Sequence, residues 1–139
     1  MGVTGVGDMK IENFDDVEVS FIESTIVKNG VVCDVYKFTN DDSKDLGIVT
    51  VTAGFATPKQ KVLLGSQTLE KFISGAGMVT LKRVEGGLER YIFPNAITDT
   101  LVLMVGDTMQ WEAVSDSDLV FAEVCYPPYA EGRFEVLDA

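Results

Sequence analysis

A period of two dominates the order of apolar and polar side chains along the chain. The runs VEVSFIES (17–24), VVCDVYKF (31–38), IVTVTAGF (48–55), MVTLKRV (78–84), TLVLMV (100–105) and LVFAEVCY (119–126) are rich in Val, Ile, Thr, Phe and Tyr, and several alternate apolar with polar residues. β-Branched and aromatic residues in that alternation predict strands. Turn chemistry separates the runs. Asn29-Gly30 is the strongest short-range hairpin signal, Gly86-Gly87 marks a second hairpin, Gly106-Asp107 marks a further turn, and Pro127-Pro128 stops the last long strand. The polar stretch TNDDSKDLG (39–47) is predicted as a loop. GSQTLEKF (65–72) is predicted as a helical turn at most, because Leu69 stands where a capping box opened by Ser66 would need Glu or Gln.

Six to ten short strands at close spacing with almost no helix predict an all-β antiparallel sandwich or small closed barrel. Closure also removes the exposed edges that so strand-rich a chain would otherwise have to protect. A length of 139 residues suits one domain with one core. The expected organisation is a single domain over 1–139, with a flexible N-terminal tail at 1–10, a barrel core at about 17–129 and a C-terminal extension at 130–139.

Charge narrows the choice of partners. The chain carries 22 Asp plus Glu against 11 Lys plus Arg, a formal net charge of −11. Such a field repels phosphate backbones and anionic lipid headgroups, so neither nucleic acid nor a membrane surface is an expected partner. The opening MGVTGVGDMKIENF lacks a basic segment followed by a long apolar run, and no stretch is long enough to span a bilayer, so the expected location is the cytoplasm. There Cys33 and Cys125 are expected as buried reduced thiols. GVTGVG (2–7) has no strand before it and no helix after it, and is read as tail rather than as a nucleotide loop.

Two stretches carry a resemblance. Gly54, five residues, Gln60-Lys61-Val62, the spacer LLGSQTL, Glu70, six residues and Gly77 resemble the first conserved motif of the cupin family, which reads glycine, five residues, His-x-His, a shorter spacer, glutamate, six residues and glycine. LVLMVGDTMQWEAVSDSDLVFAEVCYPPY (101–129) resembles the second motif in its Gly106-Asp107 opening and its closing prolines. Where that motif has a Pro-x-Gly turn and a histidine, this chain has Trp111-Glu112-Ala113-Val114, read as a shortened loop. The resemblance implies a cupin double-stranded β-helix, a jelly-roll type barrel, and together with the base rate for two-fold assemblies it implies a homodimer.

The resemblance also poses a chemical problem, because the chain contains no histidine. Gln60 and Val62 stand where the metal-binding pair would be, Val62 has no donor atom, and one amide with one carboxylate is a poor site for a transition metal. The barrel is therefore read as metal-free and without a cofactor. Without imidazole, Ser-His and Cys-His catalysis cannot be built, and acid–base chemistry falls to carboxylates, tyrosines or lysines. Alternation places Leu119, Phe121, Glu123 and Cys125 on one face of a strand and Val120, Ala122 and Val124 on the other, so Glu123 is either a buried carboxyl of raised pKa or a paired structural group.

Glu70 has the same two readings. Trp111, the only tryptophan, is read either as a core aromatic or as a stacking wall for a ring-shaped ligand. Tyr91, Tyr126 and Tyr129 need hydroxyl partners if buried, and Arg83, Arg90 or Arg133 turned inward would clamp an anion. The expected function is small-molecule binding in the barrel, with contacts from Gln60, Glu70, Trp111, Glu112 and Glu123. Two alternatives stand beside it: a metal-independent isomerase, epimerase or lyase acting on a sugar or small organic acid, with Glu70 or Glu123 as the catalytic base, and a structural or regulatory homodimer whose barrel is filled by its own side chains.

Overall fold

A computed structural model describes residues 10–137, which form twelve β-strands and no helix. The strands are β1 (Asn13–Phe14), β2 (Val17–Lys28), β3 (Val31–Phe38), β4 (Asp41–Val51), β5 (Gln60–Val62), β6 (Gln67–Gly75), β7 (Gly77–Lys82), β8 (Leu88–Phe93), β9 (Thr100–Leu103), β10 (Thr108–Ala113), β11 (Leu119–Tyr126) and β12 (Phe134–Val136). All pairings are antiparallel. They build one sheet in the order β1-β2-β3-β4-β11-β6-β9 and a second in the order β12-β5-β10-β7-β8.

The expected turns stand where the glycines and prolines put them. Gly30 takes a positive φ of 84° in the two-residue link between β2 and β3, and β11 ends at Tyr126, directly before Pro127. Three expectations are corrected. The stretch 39–47 is not a loop: after a turn at Thr39-Asn40 the chain enters β4 at Asp41, pairing with Phe38. Its first side chains are exposed and charged, so composition alone reads them as loop. The stretch 65–72 contains no helical turn but the start of β6, where Thr68 and Glu70 point inward. Trp111 and Glu112 lie not in a loop but in β10, paired with Val79 and Met78 of β7.

The two sheets face each other across one apolar core. Val31, Val49, Leu103, Leu119 and Phe121 from the first sheet meet Val62, Val79, Leu81, Met109 and Trp111 from the second. Burial of this set supplies the main drive to close the sheets, at about 25 cal/mol per Å² of apolar surface removed from water. A column of rings crosses the core. Phe72 stacks on Phe93 at 4.6 Å, Phe93 lies 5.7 Å from Trp111, and Trp111 stacks on Phe121 at 4.3 Å with planes 6° apart.

A second cluster, formed by Val19, Tyr36, Phe38, Leu46, Ala122 and Val124, sits on the outer face of the larger sheet. The N-terminal stretch covers part of it: Phe14 packs there, the Ile11 amide donates to the Tyr36 hydroxyl, and Lys10 pairs with Asp34 at 3.2 Å. β11 is thus covered on both faces, as its alternation implies. Residues 1–9 of the expected flexible tail lie outside the described residues, whereas Lys10 is tied down by its ion pair.

The C-terminal residues likewise form part of the fold, because β12 pairs with β5. Arg133 anchors this stretch. Its guanidinium, 2% exposed, donates to the carbonyls of Pro127, Gln67 and Tyr126 and to the Thr68 hydroxyl. Its own carbonyl accepts the amides of Leu63 and Leu64. Gly65 lies so close to the guanidinium that a Cβ would stand 2.5 Å from it. The long spacer between β5 and β6 is therefore the loop that Arg133 clamps.

Gly77 shows how sharply the turn between β6 and β7 is specified, since a Cβ there would meet the Glu112 carbonyl oxygen at 2.3 Å and Leu119 at 2.8 Å. Gly77→Ala is expected to destabilise the domain by about 1–3 kcal/mol, the usual cost of overpacking a site that cannot shift, read as a lower urea midpoint with unchanged slope.

Candidate functional site

The site follows from one register. β11 and β6 pair with a bulge: Leu119 and Val120 oppose Gly75 and Ser74, but Phe121 opposes Phe72, so Ile73 is the extra residue. Continuing the first register would set Glu123 opposite Lys71. The bulge sets it opposite Glu70 instead, on the same face of the sheet. One row of paired residues across the sheet therefore reads Val35, Gly47, Glu123, Glu70, Leu101. Gly47 leaves space in that row, into which Cys33 Sγ enters.

Glu70 is fully buried and the Trp111 indole Nε1–H donates to its Oε1 at 2.9 Å, joining the two sheets. Its Oε2 has no donor among the described residues. The group beside it is the carboxyl of Glu123, its cross-strand neighbour, and the orphaned oxygen is satisfied where the two side chains hydrogen-bond. Two carboxyls can do so only if one carries a proton. Placing it on Glu70 Oε2 lets that atom donate to Glu123 and removes the unsatisfied acceptor.

Electrostatics assign the proton the same way. Burial raises the Glu70 pKa well above its ordinary 4.5, and the adjacent Glu123 raises it further, outweighing the indole hydrogen bond. Burial also raises Glu123, but the hydrogen bond from Glu70 and the field of Arg133 oppose that rise. Glu123 is thus the carboxyl that ionises first, and Glu70 the one that keeps its proton.

Beside the pair lies a cavity of about 560 Å³, a usual size for a small-molecule site. Trp111 and Phe121 form its inner wall, and Glu123 and Gln60 line it, as do Tyr129 and Phe134, whose rings lie 6.1 Å apart. Glu70 stands behind Glu123, contributing through its hydrogen bonds. Glu112 alternates to the other face of β10 from Met109 and Trp111 and does not line the cavity. Of the five ligand contacts expected from sequence, the fold brings Gln60, Trp111 and Glu123 to the cavity, sets Glu70 one layer back and turns Glu112 away.

Two further groups were not among those candidates. Asp45 lines the cavity and accepts from the Tyr129 amide at 3.0 Å, with its pKa raised by burial. It was hidden in a stretch read as loop. Cys33 also lines the cavity. Burial, assisted by the neighbouring carboxylates, pushes its thiol up to about 12, so it is no nucleophile at neutral pH. Cys125 is raised for the same reasons, and both cysteines are free.

The tyrosines and arginines resolve individually. The Tyr91 hydroxyl donates to Glu89, and Lys44 donates to the Tyr126 hydroxyl. Arg83 bridges Glu89 and Asp107, and the buried Asp107 carboxylate also accepts the amides of Val84 and Met104. That network fixes the Gly106-Asp107 turn away from the cavity.

The donor set does not fit the divalent ion of metal-binding cupins. Val62, at the second position of the pair, is buried in the core without a donor atom, and Glu70 Oε1 is committed to an indole. Among the described residues no group of three or more Cys, Asp or Glu side chains could hold a metal.

The pair carries a pH signature. Both folded pKa values lie above the unfolded value near 4.5, so the pair contributes its full stability below that pH and loses it as pH rises through the folded titrations. In Glu70→Gln the amide donates permanently to Glu123 and needs no proton. Denaturant midpoints from pH 4.5 upward should therefore fall faster for the wild type than for Glu70→Gln, by up to about 1.4 kcal/mol per pH unit for one retained proton. Parallel profiles would place both carboxyls at ordinary pKa values.

No family model matches the sequence, and no curated protein matches it. Solved structures do resemble the fold. The capsular polysaccharide assembling protein CapF from Staphylococcus aureus superposes with a TM-score of 0.68 at 12% identity, over 90% of this chain and 36% of that one. A cupin-2 domain from Rhodospirillum rubrum gives 0.59 at 14% identity, over 92% of this chain and 80% of that one. Oxalate decarboxylase from Lactobacillus farciminis, solved as a formate complex, gives 0.60 at 18% identity, over 94% and 34%. The chain thus spans about a third of the length of the CapF and oxalate decarboxylase chains. With identities this low the likeness concerns architecture, and the architecture is that of the cupin barrel.

Proposed function

We propose that this barrel is a small-molecule binding domain whose ligand occupies the cavity beside Glu123. The observation that carries this reading is the cavity itself: about 560 Å³ bordered by Trp111, Phe121, Tyr129 and Phe134, with the carboxyls of Glu23, Asp45 and Glu123 on its wall. Apolar and aromatic walls supply affinity by desolvation, and a few placed polar groups supply orientation. Gln60 can hydrogen-bond a ligand, and Glu123 can accept from one. The open volume favours a ligand over a barrel filled by its own side chains.

The carboxyl pair also supports a second reading, metal-independent acid–base catalysis. A buried acid that keeps its proton beside a carboxylate is the arrangement needed to donate and accept protons at one substrate. Binding is the first reading because Glu70, the protonated member, stands behind Glu123 and reaches the cavity only through it.

Occupancy can be read directly, since Trp111 is the only tryptophan and borders the cavity. The neutral dye N-phenylnaphthylamine is expected to bind with a rise in its own emission and a change in that of Trp111. Val35→Phe, which fills the cavity from β3, should weaken binding at least about tenfold with little change in Tm. A dye that ignores this substitution, or leaves Trp111 emission unchanged, would place its site elsewhere and remove the support for a barrel ligand.

A further inference from the structure

Resting on the reading of the barrel as a binding site, the composition of the cavity wall points to a class of ligand. The described residues lining it include three acidic side chains, Glu23, Asp45 and Glu123, and four aromatic ones, Trp111, Phe121, Tyr129 and Phe134, but no lysine or arginine. We infer that the cavity takes a small organic monocation, an ammonium or amidinium group carried on an apolar or ring-shaped body, with its charge on Glu123 and its body against the aromatic side chains Tyr129 and Phe134.

The local charge balance favours a cation. The groups facing Glu123 are Glu70 from β6, Asp45 from β4, Cys33 from β3, Cys125 on its own strand and the Arg133 guanidinium from the C-terminal stretch. The two thiols are neutral at physiological pH. Glu70 keeps its proton and donates it toward Glu123. Asp45 and Arg133 offset each other, which leaves the Glu123 carboxylate as the net negative charge beside the pair, with Glu23 adding a second acidic side chain on the cavity wall.

Arg133 does not quench that charge by contact: its donors reach the Pro127, Gln67 and Tyr126 carbonyls and the Thr68 hydroxyl, and no ion pair joins it to Glu123. A carboxylate already holding one hydrogen bond from Glu70 still has free lone pairs toward the cavity. An anionic ligand would meet Glu123 and Asp45 with no cation on the wall to receive it. An organic cation gains the carboxylate and, from the less buried rings of the wall, Tyr129 and Phe134, aromatic surface on which positive charge is favoured. A bare divalent ion lacks the ligand number it needs here.

Glu70 then acts as a positioning residue, whose held proton makes one buried negative charge tolerable where two would not be. Protonation of Glu123 in acid removes the charge the ligand needs. Below that ionisation, binding of the cation must expel the proton, so affinity falls about tenfold for each pH unit.

The test compares three probes of similar shape on the full chain by isothermal calorimetry: benzylammonium, benzyl alcohol and benzoate. Benzylammonium is expected to bind tightest of the three, with affinity falling about tenfold per pH unit on the acid side, and repetition in two buffers of different ionisation enthalpy should count nearly one proton released there. Glu70→Gln should keep both cation binding and the acid-side slope, because Glu123 still titrates, whereas Glu123→Gln should lose the slope and the preference for benzylammonium over benzyl alcohol. If benzyl alcohol binds as tightly as benzylammonium in the wild type, or if benzoate binds tighter, the inference is overturned while the barrel remains a binding site. If no probe binds at millimolar concentration and N-phenylnaphthylamine does not bind either, both readings fall together. The wild-type comparison needs no variant to fold.

Discussion

The hydrogen-bonded chain from the Trp111 indole through Glu70 to Glu123 is the constraint around which this barrel is arranged. It joins β10 of one sheet to β6 and β11 of the other at the level where the apolar core gives way to the cavity. Two carboxyls buried together would be a severe liability if both ionised. One proton shared between them turns the liability into a satisfied group: the indole takes one oxygen of Glu70, the proton the other, and a single charge is left on the carboxyl that faces the open volume. The stacked rings of Phe72, Phe93, Trp111 and Phe121 hold the indole in place, so core packing and the polar pair depend on each other.

Much of the fold could be read from the sequence because its signals were local. Asn29-Gly30, Gly86-Gly87, Gly106-Asp107 and Pro127-Pro128 each impose a backbone geometry whatever surrounds them, and the structure turns or stops at all four. What escaped were strands whose buried face is polar or whose exposed half is charged. β6 turns Thr68 and Glu70 inward, which breaks the apolar alternation. β4 begins with Asp41, Asp42 and Ser43, exposed side chains that carry no hydrophobic signal. The C-terminal stretch read as an extension because its strand is only three residues long and its anchor, Arg133, acts through carbonyls distant in sequence.

The site was legible in part for the same reason. Period-two alternation alone put Glu123 on the same face as Phe121 and Cys125, and the resemblance of the Gly54–Gly77 stretch singled out Glu70. Their adjacency was not legible, because it depends on the bulge at Ile73, and a bulge moves register by one residue without leaving a mark in hydrophobic pattern. Glu112 was named from its nearness to Trp111 in sequence, and strand alternation separates exactly such neighbours onto opposite faces. The likeness to cupin structures concerns the barrel, while the chemistry inside it rests on this chain's own side chains.

The central claim is that Glu70 and Glu123 share one proton inside the folded barrel at neutral pH. Infrared spectroscopy of the carboxyl C=O stretch in heavy water reports this directly, since a protonated carboxylic acid absorbs apart from carboxylates and from the backbone. The account requires one protonated carboxyl band that persists at neutral pH in the wild type and is absent from Glu70→Gln. A spectrum in which every carboxyl is ionised at neutral pH while the protein remains folded would contradict it.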